Sequence, residues 1–83
     1  MAKTFLDVLK ERDLTEAARA ACAGTGAAVE ELAAPKRARH LTRARTNFAR
    51  YLREEMGWSL AAIGELLHRD HSVISHLLRK VPQ

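Results

Sequence analysis

Apolar residues in this chain recur every three or four positions and nowhere alternate with polar ones over the length of a strand. That spacing builds helix faces, because side chains three and four apart share one side of a helix. Fifteen alanines against two prolines and four glycines point the same way, alanine being the strongest helix former. β-Branched residues are few and scattered. The expected fold class is all-α, a small bundle of five to six helices.

The breaks fall at Asp13–Thr15, at Gly24-Thr25-Gly26, before Pro35, at Gly57 and at His68-Arg69. They leave helices over about Phe5–Arg12, capped by Thr4, and about Glu16–Ala23, capped by Thr15. A short piece follows at Ala27–Ala33, then a long helix at about Arg39–Met56, and then a pair at Leu60–Leu67 and His71–Lys80. At 83 residues there is room for one core only, so residues 1–83 read as a single domain.

Several function classes drop out. Cys22 stands alone, so no intramolecular disulfide is available, and its alanine-rich setting fits a small buried side chain. No apolar run reaches the length of a signal peptide or a membrane span, and a cytoplasmic location is expected. The chain contains no GxxxxGK[ST], HExxH, GxSxG or CxxC. Neither an enzyme nor a bound cofactor is expected. His68, His71 and His76 straddle a turn with no cysteine or second acid beside them, so no metal site is expected either.

The net charge of +4 is unevenly spread. Residues 35–53 hold seven Lys/Arg and no acid, and both flanks are net acidic. A charge run is ordinarily a solvated helix face. Here no acid lies within reach to balance it, and arginine outnumbers lysine six to one. A polyanion partner, bound by release of its counterions, is the better reading. Projected on a helix, Leu41, Ala44, Phe48, Tyr51, Leu52 and Met56 form the core side. Arg39, Arg43 and Arg50 lie opposite with Asn47 nearby, behind a basic arm at Pro35-Lys36-Arg37-Ala38 that is expected to be flexible and suited to a groove. A membrane surface fits less well, because the apolar face is committed inward.

Ser59 is placed to cap Leu60–Leu67, with Trp58 and Ile63 spaced for a hydrophobic staple. Gly64, in mid-helix, indicates that another helix passes close by, as in a tight helix-turn-helix crossing. Asp70 is placed to cap the last helix through Ser72 or Val73. Val73, Ile74, Leu77, Leu78 and Val81 share its core side, whereas His71, Ser72, Ser75 and Arg79 face out. That outward face, rich in hydrogen-bonding groups, suits a helix reading base edges in a major groove.

With these residues assembled, Arg43-Ala44-Arg45, Tyr51-Leu52, Ser59-Leu60, Ile63-Gly64, Arg69-Asp70-His71-Ser72-Val73-Ile74 and Arg79-Lys80 resemble the C-terminal DNA-binding domain (domain IV) of the bacterial replication initiator DnaA. The resemblance extends upstream through Lys36-Arg37-Ala38-Arg39 and Gly26…Val29-Glu30-Glu31-Leu32, covering residues 14–81 and leaving an extra N-terminal helix in 1–13. It implies a Trp-repressor-like helix-turn-helix that binds double-stranded DNA at a box of the TTATNCACA kind. It implies that Arg37 reaches the minor groove and that Asp70, His71 and Ser72 read bases in the major groove. Arg45 and Arg53 align with positions that contact DNA. Together with these two, Lys36, Arg39, Arg43, Asn47, Arg50, Arg69, Ser75 and Arg79 are expected on the phosphates. The chain departs from the family pattern at Leu67-His68, where an aromatic and glycines are usual, and at Ser72 and Val73, where threonines are common. It also lacks a nucleotide-binding module.

Sequence-specific DNA binding linked to replication initiation or its control is therefore expected, in a cytoplasmic protein at the nucleoid. The starting Met and the extra helix fit a free-standing protein, and an excised domain would look similar. The alternatives are a transcriptional or mobile-element regulator, and a protein-interaction module acting on an initiator or self-associating through Phe5–Leu9. RNA fits less well, for lack of an exposed aromatic platform.

Overall fold

The computed structural model describes residues 3–79, and within them every regular element is helical. In chain order these are α1 (Phe5–Glu11), α2 (Thr15–Cys22), a 3₁₀ turn at Val29–Ala33, α3 (Arg39–Glu54), α4 (Leu60–Leu67) and α5 (His71–Arg79). α3 is the spine. α2 packs along one side of it and α5 along another, and α4 lies across α5 to complete the helix-turn-helix.

Local chemistry explains most of the boundaries. Thr4 caps α1 by accepting from the Asp7 N–H at 3.2 Å, and the Asp7 carboxylate accepts from the Thr4 N–H in return. Ser59 caps α4 by accepting from the Ala62 N–H at 3.1 Å. Asp70 accepts from the Ser72 N–H at 3.4 Å at the start of α5. α2 differs from expectation: it begins at Thr15 itself, and its N-cap is Leu14, which offers no side-chain acceptor. Leu14 is instead held by burial, at 1% exposure. The piece expected at Ala27–Ala33 is a 3₁₀ turn from Val29, tied by the Glu31 carboxylate accepting from the Ala28 N–H at 2.9 Å. That bond, helped by the charges of Lys36 and His40, holds the Glu31 pKa below its ordinary value.

The core gathers Leu9, Leu14, Leu32, Phe48, Leu52, Ile63, Leu67 and Ile74, all within 1% of full burial. Phe48 is wholly buried in it, and Trp58 packs against the cluster from the α3–α4 loop. Cys22 is buried as expected, and burial, followed by the charges of Glu31 and Glu30, raises its pKa. Three residues placed on core faces by helical projection are exposed. Tyr51 lies at the edge of the α3 apolar arc. α3 stops at Glu54, so Met56 falls beyond it, in the turn that Gly57 makes with φ 72°. Val73 lies on the flank of α5 and is 41% exposed. Val81 and Lys80 lie outside the described residues.

The α4–α5 turn is tight. Gly64 is buried, and a Cβ built on it would stand 2.5 Å from the Arg69 carbonyl oxygen. The Arg69 N–H closes back onto the Gly64 carbonyl at 2.8 Å. The close neighbour that the sequence implied is thus the turn itself rather than a crossing helix. His68 ends α4 in the left-handed region at φ 57°, a conformation that favours glycine. His68→Gly is expected to stabilise the protein by about 0.5–1 kcal/mol, read as a higher urea midpoint at an unchanged slope.

Candidate nucleic-acid interface

The outward side of α5 carries exposed Ser72, His76 and Arg79, with His71 on one flank and Val73 on the other. Asp70, also exposed, sits 3.2 Å from the His71 Nδ1. Its carboxylate also caps the first turn of α5. Ser75 is half-buried and contributes less to this side than expected. His76 and Val73 were not assigned to it from the sequence. The signal for His76 was available: it lies four residues after Ser72, one turn along the same side.

The basic arm approaches α5 across a concavity lined by Pro35, Lys36, Arg37, Thr42, Arg69 and Val73, among others. Arg37 is exposed. The arm's first half, however, is fixed rather than free, and Arg45 fixes it. The Arg45 side chain is 4% exposed. Its Nε donates to the Leu32 carbonyl at 2.7 Å and Nη1 to the Lys36 carbonyl at 2.9 Å. Nη2 donates to the carbonyls of Glu31 at 3.0 Å and Ala34 at 2.8 Å. Burial, followed by the nearby charge of Arg69, lowers its pKa. The phosphate contact expected from Arg45 is therefore corrected: four of its five N–H groups are spent on backbone oxygens inside the protein.

Arg69 also turns inward. Nη2 donates to the Ala34 carbonyl at 2.7 Å, and Nη1 donates to the carbonyls of Leu67 and His68 at 3.2 and 3.1 Å. Asn47 donates from Nδ2 to the Ala21 carbonyl at 3.1 Å, tying α3 to α2. Arg53 donates from Nη1 to the Trp58 carbonyl at 3.0 Å while staying exposed.

Of the three arginines expected on the outward stripe of α3, Arg39 and Arg43 lie there and Arg50 is partly drawn in. Arg39 and Arg43 are exposed one turn apart and, with His40 and Thr25, line a shallow basic hollow. Arg50 is half-buried, and its Nε and Nη2 are shielded without an acceptor in reach. Lys36 leans on Glu31, with Nζ 3.6 Å from Oε2. An exposed cationic band thus runs from Arg37 of the arm onto Arg39 and Arg43 at the start of α3.

α1 stands apart from this band. Arg12 lies over the Trp58 ring, 5.3 Å from its centroid, and Leu9 is wholly buried. No helix among the described residues is long and apolar enough to cross a membrane.

Comparison with curated proteins and with solved structures finds no match to the chain. A family model described as the bacterial DnaA protein helix-turn-helix does match, over residues 14–81, which takes in every element from α2 to α5. With the greater part of its length accounted for in this way, the chain belongs to the bacterial DnaA helix-turn-helix family.

Proposed function

We propose that this protein binds double-stranded DNA sequence-specifically, at a site of the DnaA-box kind, with α5 in the major groove and the arm at Arg37 in the adjacent minor groove. Family membership supports DNA binding by the helix-turn-helix. The observation that carries the finer reading is that Arg37 and Val73 of α5 line one concavity, which sets the arm beside the helix whose adjacent outward residues are His71 and Ser72. Asp70, His71 and Ser72 read bases, joined by His76 on the same side of α5. Arg39, Arg43, Arg50 and Arg79 take phosphates and set the register without reading sequence. For Arg50 this contact requires the side chain to turn outward, since its Nε and Nη2 are shielded in the free protein.

A protein-interaction role for α1 has less support. Leu9 is buried, Phe5 and Val8 pack on the core, and only Leu6 of the apolar set stands exposed.

Selection from a random duplex library tests the proposal: an enriched motif supports it, and no enrichment at low salt overturns it. His71→Ala is expected to lose about 1–3 kcal/mol of binding on the enriched duplex and little on random duplex. An equal loss on both would remove His71 from base reading. Arg50→Ala is expected to weaken both duplexes alike and to reduce the salt slope by about 0.9. An unchanged slope would take Arg50 off the phosphates.

A further inference from the structure

The two inward-facing arginines converge on one atom. Arg45 from α3 and Arg69 from the α4–α5 turn both donate to the Ala34 carbonyl, at 2.8 and 2.7 Å. Ala34 is extended, at φ −73° and ψ 149°, as the residue before a proline tends to be, and Pro35 opens the arm. Arg45 also holds the carbonyls of Glu31, Leu32 and Lys36, so every anchor lies between the 3₁₀ turn and the residue before Arg37. Arg69 meanwhile grips the turn through the Leu67 and His68 carbonyls. The base of the arm and the entrance to α5 are therefore joined through two guanidinium groups, with only Arg37 and Ala38 left between the last anchor and α3.

We propose that Arg45 and Arg69 are positioning residues that clasp the arm to the helix-turn-helix, so that the two grooves are met in one fixed register, and that both act through the arm rather than on DNA. The clasp rests on the DNA-reading proposal above for its purpose, though not for its existence. Its physical content is preorganisation. An arm ordered before binding does not lose its backbone freedom at the moment of binding, so the contact made by Arg37 keeps its full value. Only arginine can do this here. A lysine keeps the charge, but its single ammonium cannot span four carbonyls set around a planar fork.

The test uses Arg45→Lys in the full chain. In the free protein, backbone amide relaxation by NMR is expected to show residues 36–38 loosened in the variant, with α5 unchanged. An arm equally ordered in both proteins overturns the clasp, whatever the protein binds. On the duplex most enriched by selection, Arg37→Ala is expected to cost about tenfold in affinity in the native background and less than about twofold after Arg45→Lys. His71→Ala is expected to cost the same factor in both backgrounds. A full tenfold cost of Arg37→Ala after Arg45→Lys overturns the proposal, because an unclasped arm would then bind as well as a clasped one. If Arg45→Lys does not fold, Arg69→Lys serves instead, since it releases the Ala34 anchor from the turn side and leaves the Arg45 contacts in place. A selection that enriches no motif defeats the DNA-reading proposal and leaves the relaxation experiment to decide the clasp.

Discussion

Replacing Arg45 by methionine is expected to destabilise the protein by about 2–4 kcal/mol, because the Leu32 and Lys36 carbonyls lose the donor Arg45 supplies, at about 1–3 kcal/mol for each buried one, while those of Glu31 and Ala34 keep a second donor. That is a large share of the roughly 5–15 kcal/mol that holds a domain together. Arg43→Met, two residues earlier on the same helix, is expected to change stability by no more than about 0.5 kcal/mol, since Arg43 is exposed. The pair is measured by urea unfolding followed through helical circular dichroism. Similar midpoints for the two variants would mean that the Arg45 donors have no part in stability. The contrast matters for function because both residues belong to the same acid-free stretch. One is framework and the other is interface.

The second large effect concerns Gly64. Helix propensity alone says that alanine there should gain about 1 kcal/mol. The turn says the opposite. A Cβ would meet the Arg69 carbonyl oxygen at 2.5 Å, and that oxygen belongs to backbone, which cannot rotate away as a side chain does. Gly64→Ala is therefore expected to cost about 2–3 kcal/mol through strain in the turn. Ala61→Gly, on the exposed side of the same helix, is expected to cost about 1 kcal/mol by propensity alone. The sign of the Gly64→Ala change decides between propensity and sterics. A stabilised variant would mean that the turn is looser than the packing of Arg69 implies. DNA binding should suffer as well, because displacement of Arg69 carries the start of α5 with it.

Much of this was legible before any coordinates. The all-α class, the order of the elements and the limits of α4 followed from spacing, caps and breakers, which act within a few residues of one another. Gly64 was legible as a point of close approach, but not its partner. Tyr51, Met56 and Val73 were misplaced because helical projection has no knowledge of where a helix stops or of which edge of an apolar arc meets a neighbour. The larger misreading was Arg45. Composition treats seven basic residues as one block, and nothing local distinguishes Arg45 from Arg43. The difference lies with carbonyls 9 to 14 residues upstream, which come within reach only once the 3₁₀ turn folds against α3. A related limit hid the fixed state of the arm. Proline and basic residues read as a mobile segment when the oxygens that anchor it are invisible in the sequence.

Leu9 sits at zero exposure among core residues drawn from α2 and later elements, yet the family resemblance begins only at Leu14. The segment that inherits the family pattern is therefore not the same as the segment that folds. Cutting at the family boundary would unroof the core beneath α1, and with it remove the Arg12 guanidinium from Trp58. The first helix acts as a lid on the hydrophobic interior, and the segment that matches the family leans on it. Any attempt to transplant the DNA-reading part into another protein has to carry that lid along or supply a substitute for it.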